Sequence, residues 1–389
     1  MIGAILVEMI MAIGRFFINP LLYVAILVAI FLGYRRVKRE RKFFHTRILN
    51  GWTELKELLF VSVWLSLIVS VVSVVIGLTV PVQFLMWVSV LSIAVLVINI
   101  YHFLSPVLIL TTAVLIMIGM KWQGWSFEVM GYTFTGFPYV EGFSVTVAVL
   151  AGILLIVEGL LIRREGARIA SPILEKTRRG LPGIAYFGKR IWLLPVLFVV
   201  PGDAITAYFP WWPQFTLGTE QFSLVLFPLV IGFQQLVRKT LPMYLYPRLG
   251  RAVIIVGELV LLGGVVSYFE PMIGILVLLL GMTARLMISF VFKRMETNDV
   301  YSVIRSSNGA MIGVVLPDSP AEKMGLIAGE VIKRVNGREV FTERELYEAL
   351  QINAAHCKLE VLDHNNEIRL MQHVVHSDDH HSIGLIIVH

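Results

Sequence analysis

The chain has 389 residues, of which 57% are hydrophobic and only 15% charged, with a formal net charge of +6 and a mean hydropathy of +0.78. Soluble domains carry nearer a quarter charged residues, and the apolar residues here come in blocks of about 20, the length that matches a bilayer core. That excludes an ordinary soluble protein. The basic residues cluster between the blocks, which excludes a nucleic-acid footprint, and the single Cys357 excludes a disulfide within the chain.

The amino-terminal stretch is apolar, but Glu8 interrupts it and no basic segment precedes it. It is expected to be retained and to lie along the outer interface. Apolar blocks then predict transmembrane helices near 17–34, 58–78, 84–102, 104–120, 143–162, 191–209, 222–237, 252–268 and 272–292, eight or nine in all at about 20 residues each. The loops alternate in character. Arg35, Arg36, Lys38, Arg39, Arg41 and Lys42 open the first, Arg163 to Arg190 hold a second cluster, and Arg238 to Arg251 a third. The intervening loops have few basic residues and carry Trp122, Trp125, Tyr132, Tyr139, Trp211 and Trp212. Positive loops inside and aromatic belts outside place the carboxyl terminus in the cytoplasm, where a free cysteine is expected. The run Arg35–Lys42 either fixes topology only or also binds anionic lipid.

Ionisable residues inside the blocks mark candidate sites. Glu158 lies one turn from Arg163 and is expected to reach the interface. Asp203 follows Pro201-Gly202, an expected helix interruption. Glu258 and Arg285 sit at similar depth, about 10 Å from the cytoplasmic end of adjacent spans. They are expected to form an intramembrane charge pair; the alternative is that each snorkels separately.

After Phe292 the composition becomes charged and turn-rich, dividing the chain into a transmembrane domain, 1–292, and a small α+β domain, 293–389. Met311–Leu316 reads as a strand, Ala321–Met324 as one helical turn stopped by Gly325, and Gly329–Val335 as a second strand ending in the turn pair Asn336-Gly337. Thr342 with Glu345 forms a capping box for a helix whose apolar face holds Leu346, Ala349 and Leu350. Lys358–Leu362 and Glu367–Val374 read as a strand pair.

The ordered run through Pro317, Ser319, Pro320, Ala321 and Gly325, then Gly329-Glu330 and Asn336-Gly337, resembles a bacterial PDZ domain, with Glu330 where an Asp is usual. The resemblance implies that a peptide adds as a strand between a sheet edge and the helix beginning at Thr342. A Gly-Φ-Gly-Φ-like carboxylate loop is absent before Met311. Its nearest match is Ile383-Gly384-Leu385-Ile386. Gly384, Leu385 and Ile386 are therefore expected to supply the groove edge in a circularly permuted arrangement, with Leu346 and Leu350 lining the groove. Alternatively this is a terminal core strand.

Catalytic signatures are missing. No H-E-x-x-H occurs, and Ser144 in Gly142-Phe143-Ser144 lacks a glycine-flanked nucleophile context. His373, His376, His380, His381 and His389 fall on a strand and an acidic turn with no fourth ligand, so neither metal nor cofactor is expected.

An array of spans with one cytoplasmic PDZ domain, beginning Phe16-Phe17-Ile18-Asn19-Pro20-Leu21 and running through Gly33-Tyr34-Arg35-Arg36-Val37-Lys38-Arg39, is similar to the MinJ family. That resemblance implies a non-enzymatic adaptor of the plasma membrane, enriched at septum and poles. It would link a DivIVA-like scaffold to MinD with MinC, and it admits other division proteins as partners. The competing class is a transporter or channel with a regulatory PDZ domain, dependent on Asp203 or on Glu258 and Arg285.

Overall fold

A computed structural model describes residues 2–129, 132–135, 141–168, 170–177, 180–206, 212–213, 221–297, 301–352, 356–374 and 383–388. The expectations for Tyr139, Trp211, His376, His380, His381 and His389 lie outside them.

The amino-terminal part is built mostly of helices: α1 (Ile2–Ile18), α2 (Pro20–Phe44), α3 (Thr53–Phe60), α4 (Val63–Ile76), α5 (Val82–Ile98), α6 (Pro106–Gln123), α7 (Glu141–Glu165), α8 (Pro242–Val266) and α9 (Pro271–Met295). A small hairpin, β1 (Ser126–Val129) with β2 (Tyr132–Thr135), follows α6. Six helical stretches among the described residues are long and apolar enough to cross a membrane, α3 and α4 counting as one, while α5 is shorter.

Two of the expected helical spans are strands. β3 (Ser171–Lys176), β4 (Pro182–Thr206) and β5 (Gln221–Val237) form an antiparallel sheet in the order β3-β4-β5, so 191–209 and 222–237 belong to one long hairpin. Hydropathy alone does not separate a buried strand from a buried helix. The prolines do. Pro195 faces Pro228 across the hairpin, in register positions whose amides point away from the partner strand. A missing N–H there costs no ladder bond, whereas inside a helix each proline breaks one. The Pro201-Gly202 interruption is accordingly a bulge: the register shifts between Pro201 and Ile205, and Asp203 is exposed beside it.

Much of this hairpin is buried, so its outward backbone groups need partners. Ser62 and Ser66 donate to the carbonyls of Leu193 and Pro195. Ser70 accepts from Leu197 N at 3.0 Å, and Val80 N donates to Val199 O at 3.0 Å. The serines recur every four residues along α4 and its approach, one helical face against alternate residues of one strand. The far edge of β5 is served by α1: Leu224 N donates to the Glu8 carboxylate at 3.2 Å, and Arg15 donates to Leu224 O at 2.7 Å. Further along, Gly232 N donates to Leu104 O at 2.8 Å. Glu8 and Arg15 thus hold one face of α1 onto the sheet.

Close helix packing rests on small residues. Gly250, Gly257 and Gly264 recur every seven residues along α8 and face α7, where a Cβ at Gly257 would come within 2.8 Å of Ile156 N. Such approach makes the contact one of backbones and short contacts.

Arg285 of α9 does not pair with Glu258. It donates from Nε to Glu158 of α7 at 2.9 Å, Ser105 at the start of α6 donates to the other carboxylate oxygen at 2.5 Å, and Arg285 also reaches Ser289. Glu158 is fully buried and Arg285 nearly so. Glu258, one residue on from the packed Gly257, is turned onto the exposed face of α8. Its depth along the helix matches that of Arg285, but its rotation about the axis does not.

Removing one member of a buried pair leaves an uncompensated charge, at about 3–5 kcal/mol. Glu158→Arg or Arg285→Glu alone should lower the thermal stability of the detergent-solubilised protein by that order, and the double swap should recover part of it. Tolerance of either single reversal would contradict the pairing.

Candidate peptide-binding site

The C-terminal unit contains β6 (Val303–Ile304), β7 (Ala310–Val315), α10 (Pro320–Lys323), β8 (Val331–Val335), β9 (Arg338–Glu339), α11 (Glu343–Gln351), β10 (His356–Leu362), β11 (Ile368–Val374) and β12 (Leu385–Ile387). Its sheet runs β11-β10-β8-β7-β12, with β9 paired to β8. A separate core of Ile312, Ala321, Ile332, Leu346, Leu359 and Leu385, among others, fills it.

The motif residues make this fold for local reasons. Ser319 caps α10, accepting from Glu322 N and donating to Leu316 O. Pro320 occupies the first helical position and Ala321 is buried, while Gly325 and Gly329 take the left-handed conformations that follow. Asn336 and Gly337 both have positive φ, the two-residue turn that joins β8 to β9. The Asn336 side chain also donates to Ala349 O and accepts from Lys358 N, pinning α11 to β10. Thr342 and Glu345 form the expected capping box. Glu330 is buried, accepts from Ile327 N and pairs with Arg369, so the extra methylene relative to Asp is accommodated.

β12 pairs antiparallel with β7 and is the last strand of the sheet among the described residues, its other side carrying no strand. Gly384 precedes it at φ 84°, where a Cβ would overlap the Ser319 side chain. The Gly384 and Ile383 carbonyls are occupied by Leu316 N and Ala321 N. Leu385 is buried and Ile386 half-buried. Leu346 is fully enclosed in the core, while Leu350 is only partly covered beside it. Cys357 lies in the same core, where burial pushes its thiol up to about 11. It packs as a small apolar residue rather than a nucleophile.

The unit is held to the rest of the chain by features absent from the sequence reading. β6 pairs with β4 at Gly183 and Ile184, and Tyr186 donates to Gly313 O at 2.7 Å. Glu296, at the end of α9, accepts from the backbone N–H groups of Arg238 and Lys239. Glu175 accepts from Arg238 at 2.7 Å and from the Tyr301 hydroxyl at 2.8 Å. The Arg238 hydrogen bond, followed by that of Tyr301, holds the Glu175 carboxyl below its ordinary range.

A family model described as a PDZ domain matches residues 311–362. A stretch of 40 residues, 10% of the chain, is 55% identical to a probable periplasmic serine endoprotease DegP-like from Marinomonas sp. (strain MWYL1). The molecule is thus of a class that joins several apolar helices to a C-terminal PDZ domain. Over 98% of this chain and 95% of the relative, it is 32% identical to the cell division topological determinant MinJ of Bacillus subtilis (strain 168). A probable cell division topological determinant MinJ from Lacticaseibacillus paracasei is 24% identical over 64% of this chain and 66% of the relative. The chain belongs to the MinJ family. These relatives carry the names of division determinants and not of enzymes.

A carboxylate with a depressed pKa stabilises the fold above its unfolded value, about 4.3 for Glu, and that contribution is lost as pH falls through the folded value. Acidification below about pH 4 should therefore loosen the Tyr301 anchor. Glu175→Gln should weaken it at neutral pH and flatten the acid response, read as amide hydrogen exchange of β6 after correction for the intrinsic pH dependence of exchange. Exchange independent of both pH and Glu175 would contradict the clamp.

Proposed function

We propose that the chain is a plasma-membrane adaptor for division-site selection, with residues 1–292 in the bilayer and residues 293–389 in the cytoplasm. It links a DivIVA-like scaffold to MinD, and through it MinC, so that division away from mid-cell is blocked. The observation that carries this reading is the MinJ relationship, which extends through the helices and the PDZ domain alike.

The membrane assignment is supported by the helices themselves. Over its most apolar stretch α9 is only 17% buried within the protein and α8 33%, and the uncovered faces carry Leu259, Leu262, Leu276, Leu280 and Phe290. Apolar faces of that extent suit lipid and not water. Replacing two helical spans by one hairpin leaves the orientation argument intact, since a hairpin also goes out and returns. The basic loops then face the side on which the PDZ domain is attached.

The free side of β12 is the natural place for a partner segment to add as a strand, with Gly384, Leu385 and Ile386 as the groove edge and Leu350 at its border. Leu346 supports the groove from the core.

A fluorescent fusion imaged in a dividing rod-shaped host tests the reading. Enrichment at septum and poles should disappear when DivIVA is removed. A chain lacking its final eight residues should stay in the membrane but lose recruitment of the partner that the PDZ domain reads. Uniform membrane signal with and without DivIVA would contradict the adaptor function.

A further inference from the structure

Where α2, α3, the end of α5 and the start of the long hairpin meet, they enclose a cleft of about 370 Å³ lined by Arg35, Arg36, Arg39, Lys189 and Arg190, with Asn99 and Phe187. Two carboxylates, Glu54 and Glu57, also line it. Both are engaged: Glu54 holds Arg36, together with Glu40, and Glu57 holds Arg190 at 2.7 Å. Five cations therefore face the cleft, and the three carboxylates beside them, Glu40, Glu54 and Glu57, are committed to Arg36 and Arg190.

Part of the donor set is unused. Arg190 is almost wholly buried, yet its Nη2 has no hydrogen-bond partner among the described residues, and the same holds for Arg39 Nε. Arg39 is held over the Phe187 ring at 5.6 Å, and Lys189 sits 4.5 Å from the Tyr101 ring while donating to Asn99 O at 2.8 Å. A buried cation normally has its donors satisfied, and guanidinium donors match phosphate oxygens in geometry.

We propose that this cleft binds a phosphate group, presented by the headgroup of an anionic phospholipid, with Arg39, Lys189 and the free Nη2 of Arg190 as its donors. The volume suits a headgroup, being at the lower end of that of ordinary small-molecule sites. The site is distinct from the exposed basic residues on the same helix, such as Lys38 and Arg41, which lie outside the cleft. It is also independent of the PDZ groove. A bound lipid would join α2, α3 and the hairpin at the level where the chain leaves the apolar region.

Native mass spectrometry of the full-length protein, titrated with phosphatidylglycerol, phosphatidylcholine or inorganic phosphate, tests this. Phosphatidylglycerol should bind at one saturable site, more tightly than phosphatidylcholine, whose choline neutralises the phosphate, and more tightly than free phosphate. The double variant Arg39→Gln/Lys189→Gln should weaken it by about tenfold or more, as expected for lost charge-assisted hydrogen bonds. Lys38→Gln/Arg41→Gln, which removes the same charge outside the cleft, should change it little, and Lys189→Arg should retain it. Equal losses in the two double variants would reduce the effect to general electrostatics and overturn the proposal. Equal binding of the two lipids, or tighter binding of free phosphate than of phosphatidylglycerol, would overturn it as well.

Discussion

A buried strand exposes amide and carbonyl groups along each edge that no neighbouring strand covers, and without water those groups must be bonded to something else. The long β4–β5 hairpin meets this requirement with side chains. Three hydroxyls on one helical face serve alternate residues of β4, and one acid–base pair on α1 serves both backbone groups of Leu224. In a bilayer the requirement becomes stricter, because irregular or open-edged backbone is tolerated there only when surrounded by protein. The placement of α1 and α4, and the polar residues within them, follows from it.

The same sheet reaches the PDZ domain. β4 gives its first residues to β3 on one side and to β6 on the other, and Glu175, Arg238, Tyr301 and Glu296 tie the segments that flank it. The C-terminal unit is consequently seated against the rest of the chain through Tyr186 and Gly313 and not merely tethered by a linker. Under the proposed adaptor function, a partner added at β12 would be held at a defined position relative to the helices. The Arg285–Glu158–Ser105 network has an analogous role among α6, α7 and α9, fixing the mutual rotation of three elements whose apolar faces alone would specify it weakly.

The PDZ domain was legible because its information is local. Asn336-Gly337 demands a turn, Thr342 with Glu345 demands a helix start, and each does so within a few residues. The hairpin was not, since mean apolarity over about 20 residues reads as a span whichever backbone conformation carries it. A signal that favours the strand was present in Pro195, Pro201 and Pro228, which a strand accepts at outward positions without losing a ladder bond, whereas each costs a helix one. The partner of Arg285 was misjudged for a related reason. Depth follows from counting residues, but rotation is set by packing, and the glycine stripe of α8 that turns Glu258 outward acts through its contact with α7. Glu8, Glu54 and Glu57, with no evident role as isolated charges, become readable only once their distant partners are known.

The hairpin is the element on which the remainder of this account depends, and its period of two distinguishes it from a helix pair. In a background with Cys357 replaced by alanine, cysteines introduced at Leu197 and Leu226, and separately at Val199 and Leu224, occupy directly opposed positions two residues apart along each strand. Both pairs should form disulfides under mild oxidation, because opposed Cβ atoms in such positions lie about 4.5–5.5 Å apart. Two helices would turn residues two apart by about 200°, so cross-linking of one pair without the other would contradict the hairpin.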